Sequence, residues 1–155
     1  MSEIVVRKAG TEELAFTAEL KRQIHELHVQ GRTDLFAPMQ DFAVYATHAL
    51  EKDMHLIVAQ RDEKLLGYAL ICYVHRPASP YMNERKFVHV EEFCVDEACH
   101  RQGVGRKLME AIRQEAKQKG YPRIELDVWA FNEGARQFYE AVGFNCFRYF
   151  MEMNV

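Results

Sequence analysis

Two glycines one residue apart, Gly103 and Gly105, stand where an apolar run, Phe87 to Val95, gives way to the clearest amphipathic helix of the chain, Gly103 to Lys119. Val104, Leu108, Ala111, Ile112 and Ala116 share one side of that helix, charged groups take the other, and Gly120 with Pro122 stops it. A strand that enters a helix through glycine leaves several main-chain amides at the positive end of the helix. The stretch His100-Arg101-Gln102-Gly103-Val104-Gly105-Arg106-Lys107 therefore reads as an anion site, with a plain turn as the bland alternative. It is not a P-loop, which needs Gly-x-x-x-x-Gly-Lys-Ser/Thr. Nor is it a dinucleotide fingerprint, because Leu108 stands where that motif has its third glycine.

The rest of the chain alternates between the two periodicities. Ile4 to Ala9 predicts a strand, Thr11 to Gly31 a helix capped by Thr11, and Gln40 to Lys52 a second helix. Leu56 to Ala59 and Leu65 to Val74, joined by Arg61-Asp62-Glu63-Lys64, predict a β-hairpin. Strands follow at Phe87 to Val95 and Ile124 to Trp129. A short helix carries Ala135, Phe138, Tyr139 and Val142, and Phe144 to Met153 predicts a final strand or pair of strands. This order implies an α/β protein, a mixed sheet with helices on both faces. At 155 residues, 48% hydrophobic and 28% charged, the chain is expected to form one domain over 1–155. The longest apolar stretch, Leu65 to Val74, is about half the ~20 residues a membrane span needs. The opening Met-Ser-Glu-Ile carries no secretory pattern, so no membrane association and a cytoplasmic location are expected. Twenty basic against 23 acidic residues lack the electrostatic footprint of a nucleic-acid binder. Cys72, Cys94, Cys99 and Cys146 show no metal-ligand spacing and read as reduced thiols, and no metal is expected.

Glu91-Glu92-Phe93-Cys94-Val95 precedes the glycine turn, and Asn132-Glu133-Gly134-Ala135-Arg136-Gln137-Phe138-Tyr139-Glu140-Ala141-Val142-Gly143-Phe144 follows it. Here the chain resembles the GNAT N-acetyltransferase superfamily, with its Gln/Arg-x-x-Gly-x-Gly/Ala loop and its Asn-x-x-Ala-x-x-Phe-Tyr-x-x-x-Gly-Phe helix. The second pattern is met at every fixed position; the first departs at His100, for which Arg101 or Arg106 can supply the positive charge. The resemblance implies a mostly antiparallel mixed sheet of about six or seven strands flanked by about four helices. It further implies acetyl-CoA as co-substrate, its pantetheine arm inserted between strands Phe87 to Val95 and Ile124 to Trp129. Main-chain groups of Phe93, Cys94 and Val95 would hold that arm. The turn His100, Arg101, Gln102, Gly103, Val104, Gly105 and Arg106 would hold the diphosphate. Asn132 and Tyr139 would complete the cofactor contacts.

An alkylammonium of pKa about 10.4 must lose a proton before its nitrogen attacks a thioester, and the resulting oxyanion needs a donor. Tyr139 matches the family's acid, a phenol protonated at neutral pH that can assist thiolate departure. Glu91 and Glu92 are the candidate bases, expected on opposite faces of a regular strand unless a bulge re-aims them. Similarity to the Glu-Asp-Phe-Phe-Val tract of spermidine/spermine acetyltransferases favours Glu91, acting through water. His89 shares the alternation of Glu91 and is a candidate relay. His25 and His28 share one helix face as surface groups at the acceptor mouth, whereas Trp129 and Phe138 read as core. The function implied is acetyl transfer to a primary amine of a small molecule or protein, the alternative being a non-catalytic acyl-CoA-binding module. A homodimer is expected from the resemblance alone.

Overall fold

Between Arg61 and Lys64 the chain reverses through Asp62, whose φ of 54° lies in the left-handed region, and this turn sets the central hairpin. The structure, a computed structural model, describes residues 2–39, 41–42 and 53–155. Its elements are β1 (Val5–Ala9), a 3-10 helix (Thr11–Thr17), α1 (Ala18–Gly31), β2 (His55–Arg61), β3 (Lys64–Arg76), β4 (Arg85–Val95), a 3-10 turn (Glu97–Cys99), α2 (Val104–Lys119), β5 (Ile124–Leu126) and α3 (Glu133–Ala141). Apart from Asp41 and Phe42, the predicted helix Gln40 to Lys52 lies outside the described residues. The five strands form one sheet in chain order, antiparallel from β1 to β4 and parallel between β4 and β5. None of the helices among the described residues is long and apolar enough to cross a membrane.

Each face of the sheet carries its own helical layer. Val104, Leu108, Met109, Ile112 and Ala116 of α2 pack on Ile57, Ala59, Ala69, Ile71, Val88 and Val90. On the other face the 3-10 helix and α1 place Leu14 and Leu20 on Leu56, Val58, Tyr68, Leu70 and Cys94. Glu115 ties α2 to the sheet: it lies 2.8 Å from the Lys8 ammonium and accepts a 2.6 Å hydrogen bond from the Tyr73 hydroxyl. The first helix starts one residue early. Gly10 is its cap, and its amide donates to the Glu13 carboxylate at 3.1 Å, so Thr11 lies inside the first turn and does not cap it.

Two predicted strands change. Ile124 to Trp129 shortens to Ile124–Leu126, because β5 pairs with β4 only at Val88, His89 and Val90 and then diverges. Phe144 to Met153 forms no strand: the Phe144 amide donates to the Tyr139 carbonyl of α3 at 2.9 Å, and among the described residues no segment offers main-chain hydrogen bonds to Asn145 to Met153. The described sheet therefore has five strands where six or seven were expected.

Candidate active site

The site forms where β4 and β5 part. From Glu92 to Val95 one edge of β4 pairs with β3, and the other faces no strand among the described residues. A bulge precedes this segment. Leu70 stands opposite Glu92 and Ile71 opposite Val90, so Glu91 is the extra residue and the alternation resets behind it. Glu92 and Cys94 consequently face α1 along with His89. The Glu91 carboxylate also turns to that side, 3.1 Å from His89 Nδ1 and 3.7 Å from Cys72 Sγ. The opposite facing expected for the two glutamates in a regular strand is corrected by this bulge.

The glutamates differ in surroundings. Glu92 is mostly buried; its Oε1 accepts a 2.6 Å hydrogen bond from the Tyr68 hydroxyl and lies 3.6 Å from Lys21 Nζ. Burial pushes its carboxyl above the usual range, an effect the Lys21 ammonium opposes. Glu91 is open to solvent. Through His89, whose Nε2 lies 3.6 Å from Asp127 Oδ2, it is linked to the first residue beyond β5. Cys72, His89 and Glu91 are the one grouping among the described residues that brings three metal-type donor atoms within 4.8 Å of one another. Sequence reasoning missed Asp127, Tyr68 and Lys21. Their roles come from strand register and helix packing across the sheet, which no local motif encodes.

On the opposite side of β4, Phe93 stacks on Phe138 at 5.6 Å, and the Tyr139 ring lies 6.0 Å from Phe93 and 5.6 Å from Phe144. Burial raises the Tyr139 phenol above its ordinary value, so it is protonated at neutral pH. Its hydroxyl has no hydrogen-bond partner among the described residues. Burial also pushes the Cys94 thiol up to about 12.

The glycine turn closes the lower end. Gly103 has φ +83°, and a Cβ there would meet nothing within 4 Å, so the turn is open on its outer side. Gly105 has a different cause: a Cβ would come within 2.9 Å of the Phe138 ring, so α2 starts close against α3 only with glycine there. Val104 is buried in the core, leaving only its amide for a ligand, while Arg101, Gln102 and Arg106 are exposed. His100 folds back on β4, its Nε2 3.3 Å from the Val95 carbonyl. Asn132 caps α3, accepting from the Ala135 amide at 3.1 Å.

Above the α1 side, Phe36 meets His28 at 5.0 Å and Trp129 at 5.1 Å, and Trp129 stacks on Phe131. Trp129 is thus 40% exposed rather than core, because it lies past the point where β5 leaves the sheet. His25 and His28 do share a face, but His25 is held by the Ala37 carbonyl at 2.7 Å and burial lowers the pKa of His28. Phe138 packs on the core as expected.

A mixed sheet opened between two parallel strands, with a glycine-initiated helix below the opening, is an acyltransferase architecture. The chain belongs to the acetyltransferase (GNAT) family, whose model matches residues 18–144. It is similar to a tetramutant of the BH1408 protein from Bacillus halodurans, with 32% identity, TM-score 0.88 and coverage of 97% of this chain and 99% of that one. Its fold is shared by the aminoglycoside N-acetyltransferase AAC(6')-Iy in complex with CoA, at 18% identity and TM-score 0.75 over 100% and 96% of the two chains. It is also shared by the aminoglycoside acetyltransferase meta-AAC0020, from an uncultured soil metagenomic sample, in complex with sisomicin. That match has 17% identity and TM-score 0.69 over 98% and 95%. No curated protein matches the chain.

Proposed function

We propose that this protein transfers an acetyl group directly from acetyl-CoA to a primary amine of a small cationic molecule. The observation that carries the reading is the β4 edge from Glu92 to Val95, left among the described residues without a strand partner beside β5 and placed between Tyr139 and the open turn at Gly103. Main-chain groups of Phe93, Cys94 and Val95 on that edge suit the amides of a pantetheine arm. The amides from Gly103 to Arg106, with Arg101, Gln102, His100 and Arg106 around them, suit a diphosphate. Acetyl-CoA supplies the activated thioester; the chain supplies the acid, the base and the oxyanion donor.

Glu91 takes the amine's proton, directly or through a water, and His89 links it to Asp127 so that charge spreads across the opening. Glu92, held by Tyr68 and Lys21, keeps the bulge in place rather than serving as base. An amide of the β4 edge donates to the oxyanion as the nitrogen–carbon bond forms. Tyr139 donates a proton to sulfur as the carbon–sulfur bond breaks, and no metal enters these steps. Cys94 takes no covalent part: a buried thiol at about 12 is not a thiolate at neutral pH.

The walls of the α1 side support this acceptor class. Asp127 and Glu91 present carboxylates, and Phe36 and Trp129 present ring faces, a pairing that attracts an ammonium on an apolar or sugar frame. The aminoglycoside complexes of the fold's other members support a small polycation over a protein lysine. Thiol release measured against a panel of diamines, polyamines, aminoglycosides and a lysine peptide tests this. Release with small polycations and little with the peptide is expected. Acetyl-CoA binding without release from any amine would favour a non-catalytic binding module instead.

A further inference from the structure

His89 stands directly opposite Cys72 across β3 and β4, so both side chains leave the sheet on the α1 side. Glu91, the bulge residue, brings its carboxylate to the same place: Oε1 lies 3.7 Å from Cys72 Sγ and 3.1 Å from His89 Nδ1. A thiol, an imidazole and a carboxylate thus converge, with their donor atoms all within 4.8 Å of one another. Behind them Asp127 Oδ2 stands 3.6 Å from Nε2, the other ring nitrogen of His89. Acetyl transfer employs the carboxylate and the imidazole but has no use for the thiol. Zinc holds sulfur at about 2.3 Å and nitrogen or oxygen at about 2.0–2.2 Å in a tetrahedron, which sets its donors roughly 3.4–3.6 Å apart. The two edges that meet at Glu91 Oε1, 3.7 and 3.1 Å, lie within about 0.3 Å of that spacing. Sulfur together with imidazole selects a zinc-type cation over magnesium or calcium, which take oxygen donors.

We propose that Cys72, His89 and Glu91 form an inhibitory site for a zinc-type divalent cation, with Asp127 as the carboxylate that orients His89. Cys72 binds as the thiolate and its proton leaves to solvent. His89 binds through Nδ1 and keeps its proton on Nε2, from which it donates to Asp127, the carboxylate–histidine–metal arrangement that fixes ring and tautomer. No electron moves, and one thiolate with one carboxylate balances the two positive charges of the cation. The fourth position opens to solvent and takes water, since the His89 and Glu91 side chains are 23% and 33% exposed. The effect on transfer rests on the reading of Glu91 as the base. With Oε1 bonded to the metal, Glu91 no longer takes the amine's proton. The bound cation also cancels the charge that draws a cationic acceptor to the opening. The metal therefore stops the reaction instead of serving in it, and transfer becomes coupled to the level of free zinc.

Co2+ is the spectroscopic probe. Titrated into the full chain without added thiols, it is expected to give a thiolate-to-cobalt charge-transfer band that saturates at one metal per chain and is displaced by Zn2+. Cys146→Ser, which removes the exposed thiol, is expected to keep the band and Cys72→Ser to lose it. Asp127→Asn is expected to weaken Zn2+ binding about 10- to 100-fold. His89→Ala is expected to abolish the saturating band as well and decides the matter if Cys72→Ser does not fold. With acetyl-CoA and an amine present, the initial rate of thioester loss is expected to fall as Zn2+ is added and to return with a chelator. Cys72→Ser, compared with its own metal-free rate, is expected to need at least about 10-fold more Zn2+ for the same inhibition. Absence of the band, or a band that survives both Cys72→Ser and His89→Ala, overturns the site. A band that depends on Cys72, with a transfer rate indifferent to Zn2+, overturns the inhibition. The same band in a protein that acetylates no amine supports the metal site and overturns the transfer reading, and the inhibition with it.

Discussion

Glu91 and Glu92 are chemically identical and adjacent, yet the bulge gives them different work. Glu92 is mostly buried and engaged by Tyr68 and Lys21, while Glu91 is exposed to solvent beside His89. Glu91→Gln is expected to lower kcat about 10- to 1,000-fold at neutral pH, with activity partly recovered at high pH where the free amine needs no base. Equal activity at pH 7 would contradict the assignment. Tyr139→Phe keeps the ring against Phe93 and Phe144 and removes only the donor. Its expected cost is again about 10- to 1,000-fold in kcat, with acetyl-CoA affinity little changed, and a steady-state comparison checks both parts. Cys94→Ala is expected to leave kcat within a few-fold, because direct transfer has no use for the thiol. A loss as large as that of Tyr139→Phe would point to an acetyl-cysteine intermediate. The residue types were legible in the sequence, since a phenol in the Asn-x-x-Ala-x-x-Phe-Tyr pattern and a glutamate pair carry their chemistry openly. Which glutamate faces what was not legible, because one inserted residue reverses every side chain beyond it.

At the scale of elements, the two glycines of the turn hold α2 for different reasons, and mutation should separate them. Gly103→Ala places a side chain at φ +83°, costing about 1–2 kcal/mol with no clash, whereas Gly105→Ala drives the Phe138 ring from Phe93 and disturbs the bed of Tyr139. Denaturant unfolding is expected to show similar losses, with kcat falling more for Gly105→Ala. α2 is also fastened by Glu115. Burial pushes that carboxyl up, but hydrogen bonds with Lys8 and Tyr73 outweigh it and hold it below its ordinary value. The folded state therefore binds its proton less readily than the unfolded chain. The stability from this group is present above the ordinary carboxyl value and is lost as pH falls through the lowered one. Glu115→Gln is expected to cost about 1–3 kcal/mol in urea unfolding at pH 7 and progressively less toward pH 3. A cost that did not shrink in acid would place the effect in packing rather than charge. Amphipathic α2 and the β2–β3 hairpin could be read from periodicity and turn residues; the early end of β5 could not, because Asp127 to Trp129 keep strand-like composition where the partner strand has already turned away.

For the whole molecule, two helical layers cover a sheet whose β4 and β5 part beyond Val90 and Leu126, with the Glu91 and Asp127 carboxylates linked through His89 and the Phe36 and Trp129 rings in contact nearby. The segment from Asn145 onward shows how a local pattern can mislead: alternating aromatics announce a strand, but among the described residues no strand lies beside it to supply main-chain hydrogen bonds. Direct transfer at the β4–β5 opening is tested most directly by titrating acetyl-CoA into the wild-type protein in a calorimeter, then adding a polycationic amine to the same sample and following free thiol. Saturable binding of one acetyl-CoA per chain, with thiol appearing only after the amine is added, is the predicted result. Absence of binding, or thiol release that proceeds without any amine, would contradict it.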